Sequence, residues 1–222
     1  MPMTFEIWFY LKNVFINPVA AAKAVSKERE LWPLIIWSSL LGILPYLLIV
    51  VLGYRDLGWD AFPYKQYYPH YFDPYWWEIF LVPVWSLVIA FGFSLPCYFL
   101  GRWLGGKGTF KQVLAMIMLA SVVSLPIMVT VDLLIPNPES TYQFATTGTS
   151  LNPFEPGESR LIWLIEQSYF FVAMAWQGIV TLVGLAVIHR TPWYLQVPGL
   201  ITGNALFFGF LLAIRDHVAL II

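Results

Sequence analysis

The sequence predicts an all-α protein, an integral membrane bundle of five transmembrane helices with a short N-terminal interfacial helix. Three observations lead to this fold class: five apolar stretches of 22 to 28 residues, a hydrophobic fraction of 59%, and only 11% charged residues. The mean hydropathy of +0.70 lies well above that of soluble globular proteins. About 20 apolar helical residues cross the hydrocarbon core of a bilayer, so each stretch is long enough to span it.

The predicted spans are residues 31–52, 79–100, 113–135, 161–188 and 193–214. Together with their connections they make one transmembrane domain, residues 31–222, which follows a cytoplasmic N-terminal segment, residues 1–30. Asn17-Pro18 predicts the start of the interfacial helix, residues 18–30, because Asn caps helices and Pro suits the first turn. An extension of the first span is the alternative for this helix.

Two further start signals support the spans. Thr109 and Gln112 have the spacing of a capping box ahead of the third span. Thr191-Pro192 predicts a cap ahead of the fifth. Interior prolines, Pro83 and Pro96 among them, predict bent helices packed within a bundle.

The charge distribution predicts the orientation. Five spans place the termini on opposite faces, and basic residues favour cytoplasmic loops. One face carries eight of them: Lys12, Lys23, Lys27, Arg29, Arg102, Lys107, Lys111 and Arg190. The other face carries four: Arg55, Lys65, Arg160 and Arg215. The N-terminus is therefore predicted in the cytoplasm and the C-terminus outside.

The two long outer connections differ in composition. Residues 53–78 are dense in Tyr, Trp and Phe, which predicts a belt at the outer headgroup layer, with an aromatic ligand platform as the alternative. Residues 136–159 are rich in Pro, Ser, Thr and Gly, which is typical of a solvated connector.

The segment from Gly101 to Thr109 approaches the phosphate-binding pattern G-x-x-x-x-G-K-[ST]. Gly108 stands where that pattern needs a hydroxyl, and a membrane span precedes the segment instead of a soluble strand. We therefore predict a tight cytoplasmic turn in which the glycines supply positive φ and the lysines face lipid phosphates.

Few polar groups fall within the spans. Glu166 has two interpretations. At membrane depth it would belong to a proton or ion path. Because the fourth stretch is overlong, it would otherwise be a carboxylate at the membrane interface. Asn204 predicts an interhelical hydrogen bond. Gly199 and Gly203 predict a close helix contact, either within the chain or between two copies.

No catalytic motif, cofactor site or metal site is predicted, and nothing in the charge distribution suggests nucleic acid. The three histidines, His70, His189 and His217, fall in loops or at a span end on different faces, where a lone histidine is usually solvated.

Three features resemble the Yip1 domain family. They are Asn17-Pro18 ahead of the first span, the loop from Leu104 to Gln112, and the stretch from Gly184 to His189. The short N-terminus is similar to that of the prokaryotic branch. The resemblance implies five spans, a cytoplasmic N-terminus and a prokaryotic plasma membrane. The family is linked to membrane traffic and to small Rab-type GTPases.

The function predicted is that of a non-enzymatic scaffold, adaptor or membrane-organising protein. Its partners would be the bilayer and another membrane protein, or a second copy bound through Gly199 and Gly203. The predicted working surface comprises residues 13–30, the 101–112 loop and Arg190. Within the loop the candidate residues are Gly105, Gly106, Lys107, Gly108, Phe110 and Lys111. The alternative is a small oligomeric transporter or channel that uses Glu166 in a polar path.

Overall fold

A computed structural model describes residues 3–42, 44, 78–126 and 158–218. All the regular structure in these ranges is helical. The α-helices are α1 (Met3–Ile16), α2 (Pro18–Lys27), α3 (Trp32–Leu41), α4 (Glu78–Trp103), α5 (Phe110–Ser121), α6 (Glu158–His189) and α7 (Val197–Val218). Short 3-10 turns follow α5 at Val122–Ser124 and precede α7 at Trp193–Gln196.

Helix α5 lies at the centre of the described fold. Every residue from Val113 to Ala120 is buried, and α5 contacts α1, α2, α3, α4 and α6. A helix that is apolar on all sides is stable only where neighbours cover each face. Helices α1, α2, α3, α4 and α6 are therefore arranged around α5 and share one core cluster with it, whereas α7 packs on α4.

The N-terminal segment packs into this same core. As predicted, Asn17 caps α2, since its side-chain oxygen accepts a hydrogen bond of 3.1 Å from the backbone N–H of Ala20. Helix α2 ends at Lys27 because Glu28 is extended (ψ 135°), so the alternative of a continuous extension into the first span is wrong. The sequence did not predict α1, which contributes Tyr10 and Val14 to the core. The interfacial position of this segment stays a prediction.

Helices α3 and α4 are joined by a hydrogen bond, in which the hydroxyl of Ser39 donates to the carbonyl oxygen of Pro83 at 2.6 Å. Pro83 and Pro96 both lie inside α4, which continues through them. This bond links two apolar helices but does not replace the one that Pro83 removes, because a proline frees the carbonyl four residues before it, here that of Ile79.

Helices α4 and α7 pack closely through small residues. A Cβ added to Gly199 would lie 3.0 Å from the Cα of Cys97, and one added to Gly203 would lie 3.1 Å from the ring of Phe93. The predicted close contact is therefore made within the chain. Since α4 covers this face of α7, a second copy could not use it without displacing α4, and association of two copies stays a prediction.

The predicted cap ahead of the fifth span is wrong. No side chain caps the 3-10 turn at Trp193–Gln196, and α7 begins only at Val197. The hydroxyl of Thr191 instead accepts a hydrogen bond of 2.6 Å from the side-chain amide of Gln196. The buried amide of Gln196 thus occupies the Thr191 hydroxyl oxygen that would otherwise have accepted a capping hydrogen bond.

Two helices in the described part of the chain are long and apolar enough to cross a bilayer. Their apolar windows are Ser86–Trp103 in α4 and Phe171–His189 in α6, which correspond to the second and fourth predicted spans. Trp32–Leu41 and Phe110–Ser124 are shorter apolar helices at the starts of the first and third. The total of five spans stays a prediction. The predicted connection 136–159 (except its last two residues) and the aromatic connection 53–78 (except Glu78) lie outside the described residues, as does His70.

We expect substitution of Gly199 by Val to lower the free energy of unfolding by about 1–3 kcal/mol, because the added methyl groups meet the backbone of α4. Gly209→Val is the matched control, since a Cβ on Gly209 of the same helix meets nothing within 4 Å. Thermal unfolding of the detergent-solubilised protein measures both. Equal losses would contradict the close packing of α4 on α7.

Candidate functional site

Three segments meet at one end of the helical bundle, which we call the loop end: residues 26–30, 101–112 and 189–196. The backbone N–H of Lys107 donates to the carbonyl oxygen of His189 at 3.0 Å. The side-chain amide of Gln112 donates to the carbonyl oxygen of Ser26 at 2.8 Å. These segments include most of the predicted working surface, and the structure brings them together.

The α4–α5 turn packs on His189 through glycine. A Cβ on Gly101 would lie 2.6 Å from Nε2 of His189, and a Cβ on Gly106 would overlap Nδ1. A Cβ on Gly108 would lie 2.5 Å from Cγ2 of Ile188. Of the loop glycines only Gly105 has positive φ, at 89°. Positive φ, the predicted reason for glycine, therefore applies to Gly105. The other three glycines allow the turn to approach His189 and Ile188 closely.

His189 is fully buried at 0% exposure, so the prediction that it is solvated is wrong. Its ring lies against the backbone of the α4–α5 turn, which only residues without a Cβ could supply. Neither ring nitrogen has a hydrogen-bond partner among the described residues. An imidazole always carries at least one N–H donor, and leaving that donor without a hydrogen bond is unfavourable. The close packing of the ring against the turn is the contact that opposes this loss.

Helix α6 ends in a Schellman motif at Arg190. The N–H of Arg190 donates to the carbonyl oxygen of Val187, and the N–H of Thr191 donates to that of Ala186. Arg190 has φ of 56°, the one positive φ at a non-glycine residue in the described ranges. Glycine is the usual residue here because a Cβ in this conformation costs about 1 kcal/mol.

The predicted capping box at the start of α5 is confirmed. The hydroxyl of Thr109 accepts from the N–H of Gln112 at 3.3 Å, and Oε1 of Gln112 accepts from the N–H of Thr109 at 2.9 Å. Because the Nε2 of the same glutamine donates to Ser26, one side chain both starts α5 and holds the end of α2.

Two of the predicted loop residues make contacts within the chain. Lys111 lies 3.9 Å from the carboxylate of Glu30 and 5.4 Å from the ring centroid of Trp32. Phe110 packs edge-on against Phe91 and Tyr98 of α4. Gly106 and Gly108 are buried as well, so Gly105 and Lys107 are the two exposed residues among the six loop candidates.

The exposed charge of the loop end is positive. Lys107 is joined there by four further exposed cations, namely Lys27, Arg29, Arg102 and Arg190. Among the described residues none of these five forms an ion pair. Of the two carboxylates, Glu30 pairs with Lys111, and Glu28 accepts hydrogen bonds from the N–H groups of residues 29 and 30. The arrangement can bind an anion or an acidic surface.

The other sequence-predicted candidates lie apart from this end. Asn204 is exposed, and its amide donates to the carbonyl oxygen of Leu200 in its own helix at 2.9 Å, so the described contacts do not include the predicted interhelical bond. Glu166 lies within α6, and its side chain is outside the described ones. No group of three potential metal ligands occurs in the part of the chain that the structure describes.

A double-mutant cycle tests the packing of the turn on the imidazole. We expect Gly101→Ala to cost about 1–3 kcal/mol of unfolding free energy, because its Cβ meets three atoms of His189. In a His189→Ala background the same change should cost almost nothing, and the difference is the coupling energy. Gly92→Ala in α4, with open space around it, is the control. An undiminished cost in the His189→Ala background would contradict the contact.

The two roles of Gln112 separate in one substitution. Gln112→Glu keeps the capping acceptor but faces Ser26 with a carboxylate, so we expect faster proteolysis of the N-terminal helices and a loss of about 1 kcal/mol. Thr109→Ala removes the cap at a similar cost of about 1 kcal/mol while leaving the bond to Ser26 in place. Limited proteolysis with thermal unfolding distinguishes them, and equal protease sensitivity would contradict the docking role.

Comparison with known proteins places the chain in a family. No curated protein and no solved structure matches it. The model of the Yip1 domain family matches residues 12–214, which include the Asn17-Pro18 start of α2, the α4–α5 turn and the buried His189. The chain therefore belongs to the Yip1 domain family.

Proposed function

We propose that this Yip1-type membrane protein is a non-enzymatic scaffold or adaptor that binds another membrane protein at its loop end. The observation that carries the proposal is the assembly of three sequence-distant segments into one cationic surface. A connection that served only to join two spans would not need hydrogen bonds to Ser26 and to His189.

Fixed geometry is what makes such a surface useful for recognition. A partner that binds a pre-ordered surface loses less conformational freedom than one that must order a mobile loop. The buried glycines and the capping box supply this order on both sides of Lys107. The exposed lysine is thus presented by a turn whose flanking residues are packed.

The proposed orientation is cytoplasmic for the loop end. Its exposed cations follow the preference of Lys and Arg for the cytoplasmic side of a membrane. A prokaryotic plasma membrane, with several spans and the C-terminus outside, completes the proposal. A partner with an acidic cytoplasmic surface fits this charge, and electrostatic complementarity would speed its encounter.

The two candidate lysines differ in their contacts within the chain. Lys107 is exposed and unpaired within the described residues, whereas Lys111 pairs with Glu30 and lies over Trp32. We therefore expect Lys107→Gln to reduce partner recovery several-fold without changing thermal stability. Lys111→Gln should leave recovery nearly unchanged and reduce stability by less than about 1 kcal/mol, as for other solvent-accessible pairs.

The experiment is crosslinking of the tagged protein in its native membrane, followed by capture and mass spectrometry. A partner recovered in constant ratio and lost in Lys107→Gln supports the adaptor role. Recovery of self-crosslinked copies alone would contradict it and favour the transport alternative. Flux into liposomes, compared between the wild type and Glu166→Gln, would then test that alternative.

A further inference from the structure

The two described helices that are long and apolar enough to cross a bilayer end close to each other. The apolar window of α4 ends at Trp103 and that of α6 ends at His189. The ring of His189 contacts Gly101 of α4, and its carbonyl oxygen accepts from Lys107 just beyond. Because these contacts join the two helix ends, Arg102 and Arg190 lie at one common boundary of the apolar region.

Both arginines are available to a ligand. Each is exposed, and neither forms an ion pair within the described ranges. Arg102 donates one hydrogen bond, from Nη1 to the carbonyl oxygen of Gly106 at 3.3 Å, which leaves most of its five N–H donors unused. Their positions at helix C-termini are favourable for cations, and this alone would account for a basic residue at each.

The backbone conformation of Arg190 is unfavourable for a residue other than glycine, and the favourable position of its charge does not remove this cost. Its positive φ is the conformation in which glycine closes most Schellman motifs. An arginine at such a position costs about 1 kcal/mol relative to glycine. A strained backbone at an exposed, charged side chain is an observation that points toward a role for the side chain.

Exposed aromatic rings flank the two arginines. Trp103 is 82% exposed, Trp193 is 60% exposed and Tyr194 is 58% exposed. Trp103 directly follows Arg102, and the other two follow Arg190 by three and four positions. Trp and Tyr favour the headgroup layer of a bilayer, where an apolar ring can lie beside polar groups. We call this set the arginine site: Arg102, Arg190, Trp103, Trp193 and Tyr194.

We propose that the arginine site binds the phosphate group of an anionic phospholipid. The guanidinium groups match phosphate in charge and hydrogen-bonding geometry, and the rings would lie beside the glycerol and upper acyl chain. The remaining exposed cations of the loop end are Lys27, the last residue of α2, Arg29 in the α2–α3 connection, and Lys107 in the α4–α5 turn.

This inference rests on the loop end being the working surface of the proposed function, and it names a ligand of that surface. The two proposals use different side chains. Partner capture is tested through Lys107, whereas lipid binding is tested through the two arginines. A protein partner could therefore be found while lipid binding fails, or the reverse.

The experiment is native mass spectrometry of the detergent-solubilised full chain titrated with phosphatidylglycerol or phosphatidylcholine. Each cation near a headgroup contributes about a fivefold gain in affinity, so the wild type should bind phosphatidylglycerol about 25-fold more tightly than phosphatidylcholine. The double variant Arg102→Gln with Arg190→Gln should lose this preference. Arg102→Lys with Arg190→Lys should retain most of it.

The matched control is Lys27→Gln with Arg29→Gln, which removes the same charge elsewhere at the loop end. Equal loss in both glutamine variants would indicate general attraction and overturn the assignment to the arginine site, as would equal binding of the two lipids by the wild type. Displacement of bound lipid by inorganic phosphate alone would make this a site for soluble anions and overturn the lipid assignment.

A measurement on the unaltered chain keeps the proposal testable if a variant fails to fold. Headgroup contacts made by exposed charges weaken as salt screens them. The affinity of the wild type for phosphatidylglycerol should therefore fall between 0.05 and 0.5 M ammonium acetate, while that for phosphatidylcholine stays constant. An affinity that does not respond to salt would overturn the proposal.

Discussion

The loop end depends on one contact, the packing of the His189 ring against a turn that has no Cβ atoms where it touches the ring. This contact brings the end of α6 to the end of α4 and to the start of α5. A side chain at Gly101 or Gly106 would push the turn away. The hydrogen bond from Lys107 to His189 could not then form, and the exposed cations would no longer be held in fixed positions relative to one another.

Glycines also allow close approach deeper in the bundle. Gly199 and Gly203 let α7 approach α4, and Gly184 of α6 lies against Met116 of α5. Lipid is as apolar as the helix surfaces, so association in a membrane relies on close packing and on hydrogen bonds such as that from Ser39 to Pro83. Small residues therefore determine where these helices approach closely, while several large aromatic side chains, among them Trp8, Trp37 and Trp103, remain exposed.

At the loop end, some side chains stabilise the surface through contacts within the chain, and others remain exposed on it. Gln112, Lys111 and Phe110 are engaged within the chain. Lys107, Arg102 and Arg190 remain exposed. The proposed partner binding through the lysine and the proposed lipid binding through the arginines are compatible, because they use different side chains of the loop end. Family membership establishes the membrane class, and these exposed groups define the proposed chemistry.

The sequence by itself determined the features that depend on neighbours along the chain. The Asn17 cap and the Thr109–Gln112 capping box are encoded within a few residues, and the apolar windows of α4 and α6 within single continuous stretches of the chain. Tertiary structure alone decided that His189 is buried, that Lys111 pairs with Glu30 and that Gln196 takes the hydroxyl of Thr191. Each of these depends on how the backbone positions groups across a turn or between segments. Composition and periodicity record which residues can be buried, whereas the approach of separate segments decides which ones are.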